Sequence, residues 1–191
     1  MSESSTLAPP LLLLAMPQVL DPFFQKTVVL LVQHEDEEGS LGFIVNRPTE
    51  LKIAEILDDL DVRWNGDDET AAFFGGPVNP EVGTVIYLDK EWSPDGGKEL
   101  IPGVSATQSV GDLDRLADLP DNAFRLFLGY AGWGEGQLEQ ELLRNDWLIA
   151  PVQNDLIFAD STDAIWRQAF ESVGVNPDLL AGFNPDGSSA N

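Results

Sequence analysis

Residues 126–141 read LFLGYAGWGEGQLEQE, and how that stretch folds decides the rest. Residues 124–129 alternate and then run apolar, as a mostly buried strand does. Gly129, Gly132, Gly134 and Gly136 then supply a glycine-rich turn carrying Tyr130 and Trp133, where the backbone can bend without a Cβ penalty. Gln137 opens a helix with Leu138 and Leu142 on its inner face, Gln137 and Glu141 together on another, and Arg144 in reach of Glu141 or Gln140. Asn145 is the expected stop. A strand, glycine loop and helix start can also cradle a phosphate on backbone N–H groups. Here neither GxGxxG nor GxxxxGK[ST] can be read, no lysine is near, and Glu135 and Glu139 already occupy the helix start with negative charge. A structural turn with a packed Trp133 is therefore favoured over a ligand loop, with a neutral or cationic ligand left open.

A chain of 191 residues with 43% apolar content fits one compact domain. Without cysteine, disulfides, thiol catalysis, Cys-ligated zinc and iron–sulfur clusters are excluded. The single histidine, His34, excludes a multi-histidine metal site, and no cofactor or metal is expected. The net charge of −23, from 33 acidic and 10 basic residues, repels polyanions. Direct contact with DNA, RNA or anionic membranes is disfavoured, since such affinity is built from Lys and Arg. No apolar run approaches the length of a membrane span; residues 11–15 lack a basic leader and read as a buried strand rather than a signal peptide, so the expected location is cytoplasmic.

Residues 1–10 read as a disordered arm, 11–175 as a single domain and 176–191 as a flexible tail. Strands are expected at 11–15, 27–34, 41–46, 83–88 and 156–159, with a short one at 104–108. Arg47-Pro48-Thr49 is expected to end one strand and start a helix capped by Thr49, with Ile53, Ile56, Leu57 and Leu60 inward. Residues 61–70 form an acidic loop that fails as a calcium loop, since Arg63 and Ala72 fall at the third and twelfth ligand positions. Residues 91–103 read as a loop, and Ser109, with Asp112, as the cap of a helix carrying Leu113, Leu116 and Ala117 inward. Ser161 or Thr162 caps a last helix with Ile165, Trp166, Ala169 and Phe170 on its apolar face, stopped by Gly174.

Four segments in order, LLLLAMPQVLDPFFQKTVVLLVQH, GSLGFIVNRP, GGPV and LGYAGWGEGQLEQELLRNDWL, resemble the YqgE/AlgH family of bacterial proteins, from about residue 11 to 181. The resemblance implies an α+β single domain: a mixed, bent β-sheet curling toward a pseudo-barrel with helices packed outside. It implies little about activity; the family is largely uncharacterised, and its name is tied to transcriptional regulation of alginate production. The motif positions it carries over are His34, Asn46, Arg47, Pro48, Gly75, Gly76, Pro77, Tyr130, Trp133, Gln137 and Glu141. Three positions depart: Val32 stands where relatives often have cysteine, Tyr87 where histidine is common, and Ala181-Gly182-Phe183 replaces an Ala-Gly-His ending.

His34, beside Glu35 and Asp36, has a setting for general acid or base work, but one imidazole without a serine elbow favours a structural role. Arg47 is expected to fork onto a carboxylate, with Glu141 favoured over a ligand. A pocket between Asn46-Arg47 and the Tyr130–Trp133 loop is the expected binding site. The leading function is a non-catalytic regulatory or binding module that contacts a protein partner through Trp133, Tyr130 and Arg47. The alternative is a hydrolase-like or transferase-like enzyme using His34 or the Gln137/Glu141 pair; direct DNA regulation ranks last. The acidity, with only 4 lysines, fits either simple solubility or adaptation to high internal salt. Adaptation to salt requires the melting temperature to rise between low and molar KCl, read by calorimetry; a flat or falling value leaves solubility alone.

Overall fold

The computed structural model describes residues 7–120, 123–159 and 162–180. Strands β1 (Leu11–Ala15), β2 (Val28–Glu35) and β3 (Gly39–Ile44) follow the β-branched and leucine-rich runs of the sequence. They are followed by β4 (Pro48–Lys52), α1 (Ile53–Asp59), β5 (Ala71–Phe74) and β6 (Val78–Leu88). Next come β7 (Lys98–Ile101), β8 (Val104–Thr107), a 3₁₀ segment (Val110–Asp118) and β9 (Phe124–Trp133). The chain finishes with α2 (Gln137–Leu143), β10 (Trp147–Ala150), α3 (Asn154–Ile157), α4 (Thr162–Ser172) and α5 (Pro177–Leu180).

The strands join in the order β10-β1-β2-β3-β9-β6-β8-β7, with β5 beside β9 and β4 beside β5. All pairs are antiparallel except β5–β9, so the sheet is mixed. Its curl can be read from packing. Leu12, Leu14, Val28, Leu30 and Phe43, from one end of the strand order, share a single core with Ile101 and Val104 from the other end. That face is therefore concave. Ile165, Trp166, Ala169 and Phe170 of α4 fill part of it, and the Trp166 indole donates to the Ala15 carbonyl at 2.8 Å.

The convex face carries two separate cores. Leu13, Val29, Leu31, Ile44, Trp133 and Trp147 pack under Leu138 of α2 and Phe24 of the 16–27 connection. Ile53 and Leu57 of α1, with Leu113 and Leu116 of the 3₁₀ segment, cover Val85, Tyr87, Phe124 and Leu126.

Strand β9 joins these layers because it changes neighbours midway. Its first half pairs with β6 and, at Phe127 and Leu128, with β5; its end, Ala131 to Trp133, pairs with β3. The change happens at Gly129, whose φ is +68°. Phe124, Leu126 and Leu128 point to the convex face before it, while Ala131 and Trp133 do so after it, so the alternation slips by one residue as at a bulge. Gly75 wedges into the fork, taking the Leu128 carbonyl on its N–H at 2.9 Å and accepting from the Ile44 N–H at 2.8 Å. The two backbones touch there: a Cβ on Gly75 would overlap the Gly129 carbonyl, one on Gly76 the Tyr130 carbonyl, and one on Gly129 the Gly76 carbonyl.

Several expectations are corrected. The strand at residues 124–129 continues through Tyr130 and Trp133, so the turn is confined to Gly134, Glu135 and Gly136. Thr49 caps no helix: residues 48–52 pair with β5, and the Thr49 hydroxyl donates to the Ala72 carbonyl at 2.9 Å. The helix begins four residues later, where the Glu55 carboxylate accepts from the Lys52 N–H at 3.1 Å. Residues 98–101, read as loop, form β7 in a hairpin with β8. Residues 154–157, overlapping an expected strand, are helical; a short apolar run fits either state. Ser109 makes no side-chain cap, its N–H being taken by the Thr107 hydroxyl at 3.1 Å, and the segment after it is 3₁₀ with Leu113 and Leu116 inward.

The start of the expected tail, Pro177–Leu180, is a short helix tied by an Arg167–Asp178 pair at 2.8 Å. Residues 1–6 of the expected arm, the rest of the tail and Ser161 lie outside the described residues. Among those described, no helix is long and apolar enough to cross a membrane.

Replacing Gly129 by alanine forces a side chain into a left-handed conformation against a carbonyl and should cost about 2–4 kcal/mol of unfolding free energy. Gly134→Ala, whose Cβ would meet nothing within 4 Å, serves as the control. The control should change stability by no more than about 0.5 kcal/mol. Urea unfolding of both variants checks the difference.

Candidate functional site

The motif residues build structure. Asn46, at the end of β3, accepts from the Val28 N–H at 2.8 Å and donates to the Lys26 carbonyl at 2.9 Å, closing the 16–27 connection onto the sheet. Arg47 completes that closure: its guanidinium donates to the Pro22 carbonyl at 2.9 Å and the Gln25 carbonyl at 2.7 Å. The expected Arg47–Glu141 pair does not form. Burial of the guanidinium holds its pKa below the usual arginine value. Pro48 pairs with Phe73 at the start of β4, and Pro77 follows the Gly75-Gly76 fork and leads into β6.

Glu141 is occupied from three sides. Its Oε2 accepts from the indole N–H of Trp133 and of Trp147, both at 2.8 Å, and its Oε1 accepts from Gln137 at 3.0 Å. Gln137 in turn accepts from the Gly134 N–H at 3.1 Å, closing the turn before α2. This clasp satisfies two indole donors that packing drives into the convex core, where an unmade hydrogen bond is costly. Arg144 turns away from it to Asp146, at 2.8 Å. His34 lies on the same convex side, its Nδ1 2.8 Å from the Ser40 hydroxyl and its Nε2 facing Glu139 at 3.3 Å.

Of the motif residues carried over, Tyr130 is the one that lines the concave cavity. That cavity has a volume of about 740 Å³, within the range typical of ligand sites. One wall is Val32, Gln33, Leu41 and Phe43 of β2 and β3; the other is Thr84, Lys98, Leu100 and Ala106 of β6 to β8. The cavity continues the concave core, for Val32, Leu41, Leu100, Ala106 and Tyr130 pack against it. Its polar side chains are Tyr130, Gln33, Asn79, Lys98, Thr107, Ser109 and a Gln108–Thr84 hydrogen bond of 2.9 Å.

In a chain with 33 acidic residues, no carboxylate among the described residues lines this cavity, and Lys98 is the one cation among them that does. Asn46 and Arg47 are not in its wall; of the expected pocket's residues it takes Tyr130, while Tyr130, Gly132 and Trp133 together line a separate shallow cleft with Gly39 and Ser40. Of the three departures from the family pattern, Val32 lies in the cavity wall and Tyr87 is buried on the convex side. Ala181-Gly182-Phe183 lies outside the described residues. The sequence hid the second wall because residues 98–101 read as loop.

Glu141→Ala leaves two indole donors unpaired and should lose about 2–4 kcal/mol of stability. It should also shift the tryptophan emission, while Glu141→Gln, which keeps an acceptor, loses less than half as much. Arg47→Ala should loosen the 16–27 connection by about 1–3 kcal/mol. Amide exchange at Val28, whose N–H is held by Asn46 beside that connection, reads the second effect and denaturant titration the first.

The AlgH-like family model matches residues 12–178. A UPF0301 protein of Xanthomonas euvesicatoria pv. vesicatoria is 41% identical over 170 residues, covering 86% of this chain and 88% of that protein. One from Methylococcus capsulatus is 39% identical over 173 residues, covering 88% and 90%. The solution structure of the AlgH protein from Pseudomonas aeruginosa superposes with a TM-score of 0.74 at 30% identity, covering 97% of this chain and 99% of that one. The crystal structure of a Corynebacterium diphtheriae protein superposes at 0.75 with 22% identity over 95% of each chain, a likeness of fold. On a family match across nearly all of its described length, and on relatives of that identity, this chain belongs to the AlgH-like family.

Proposed function

We propose that the chain is a non-catalytic binding module that acts in regulation by taking an extended apolar segment of a partner protein into the concave cavity. The observation that carries the reading is a roomy, largely apolar cavity lined by no carboxylate among the described residues, on a chain of net charge −23. Strand β7 adds a means of recognition. It ends the strand order, so one edge has no strand partner among the described residues, and a partner segment can extend the sheet there with alternate side chains turned into the cavity. Lys98 offers such a segment a single charged contact.

The enzyme reading receives less support. The ionisable groups in the cavity wall are Lys98 and Tyr130, which supply no acid–base pair, and Glu141 is already held by three donors. Direct DNA regulation remains opposed by the charge.

Ala106→Phe tests the proposal by filling the cavity while keeping the strand pairing of β8. Immobilised protein at high salt should retain a partner from its own cell extract, and the variant should retain at least tenfold less. Equal retention by both removes the cavity from the interaction. A small molecule that raises the melting temperature of the parent but not of Ala106→Phe would favour a small-ligand or enzymatic role instead.

A further inference from the structure

On the convex face, away from the cavity, the β2–β3 hairpin meets the first turn of α2. There the Nε2 of His34, the Oδ1 of Asp36 and the Oε1 of Glu139 lie within 4.8 Å of one another. The imidazole is almost wholly enclosed, its side chain 4% exposed, while Asp36 and Glu139 stand at the surface.

The distances decide what this cluster is. From Nε2 to Glu139 is 3.3 Å and to Asp36 is 3.6 Å. A charge-assisted N–H to carboxylate hydrogen bond is shorter, about 2.7–2.9 Å. Two ligand atoms each about 2.0–2.1 Å from a tetrahedral ion are instead separated by about 3.3–3.5 Å. Nε2 thus stands from each carboxylate close to the spacing of neighbouring ligands around a metal, and farther than a charge-assisted donor from its acceptor.

The other ring nitrogen supports the same assignment. Nδ1 is 2.8 Å from the buried Ser40 hydroxyl, which sits directly across the β2–β3 ladder from His34. With the hydroxyl accepting, Nδ1 carries the proton and Nε2 turns a lone pair toward two carboxylates, the outer-sphere arrangement that orients metal-bound histidines. An enclosed ring nitrogen aimed at two carboxylates at these spacings leaves a place for a cation between them.

We infer that His34, Asp36 and Glu139 form a site for a divalent first-row transition ion, with zinc the natural probe for one imidazole and two carboxylates. The expectation of no metal rested on excluding cysteine and multi-histidine sites; a one-histidine, two-carboxylate site needs neither. The remaining coordination positions face solvent, since both carboxylates are exposed, and water fills them. Bound metal would pin the hairpin tip, through Asp36, to the start of α2, beside the Glu141 clasp. The site does not depend on the proposed function of the cavity.

Because His34 is the only histidine, its ring protons give a single pair of NMR signals that report on this site alone. Protein stripped with a chelator is titrated with zinc at high salt, with calorimetry in parallel. The inference predicts one tight equivalent that moves both ring signals to saturation and raises the melting temperature, with affinity at least tenfold weaker in Glu139→Gln and in His34→Gln. Glu139→Gln alters a surface side chain, so it remains informative if His34→Gln fails to fold. Zinc that binds only weakly and in several equivalents, leaves the ring signals in place, or binds Glu139→Gln equally well overturns the inference and leaves His34 a structural contact between the β2–β3 hairpin and α2.

Discussion

The structure depends on one close approach of two backbones, Gly75-Gly76 against Gly129-Tyr130. No side chain fits between them, since a Cβ at any of the three glycines would overlap a carbonyl. Because the chains touch there, β9 can leave β5 and β6 and join β3, and one strand serves both halves of the sheet. The left-handed turn at Gly129 slips the side-chain alternation by one, giving the convex face two cores instead of one continuous layer. The same bend curls the sheet and opens the concave cavity beside Tyr130.

The other motif residues secure what the crossing sets up. Asn46 and Arg47 hold the 16–27 connection by main-chain carbonyls, and that connection brings Phe24 against Trp133 and Trp147. Glu141 then takes both indole N–H groups, so the convex core around Trp133 and Trp147 keeps these two donors satisfied at its edge. A motif-bearing arginine, glutamate and glutamine that look catalytic in a sequence are here hydrogen-bonded to the fold itself. The concave cavity draws on the same segments through Val32, Leu41 and Tyr130, which meet Lys98, Leu100 and Ala106 of β7 and β8 there.

Much of this was legible in the sequence, and the failures have identifiable physical causes. The apolar strands, the helix after Gln137 and its end at Asn145, whose φ is +59°, followed from periodicity and capping. The resemblance supplied the curled α+β sheet. The strand through Tyr130 and Trp133 was read as a turn because four glycines in eight residues suggest one; only Gly129 and Gly136 adopt left-handed φ. The β7–β8 hairpin has a sequence signal of its own: Pro102-Gly103 between two apolar stretches marks a tight turn, and Gly103 has φ of +80°. Missing that hairpin concealed half of the cavity. The contact of Arg47 with two carbonyls had no sequence signal, since a carbonyl partner leaves no residue type to recognise.

If the concave cavity is the recognition surface and the family motifs are its scaffold, the two regions must respond differently to a bound apolar anion. A titration of methyl-labelled protein with 1-anilinonaphthalene-8-sulfonate, followed by NMR, separates them. The account predicts saturable shifts of the Val32, Leu41, Leu100 and Ala106 methyl signals, with those around the convex Trp133–Trp147 core unmoved. Shifts centred on Leu13, Leu31 and Leu138 of that convex core, with the cavity methyls silent, would contradict it.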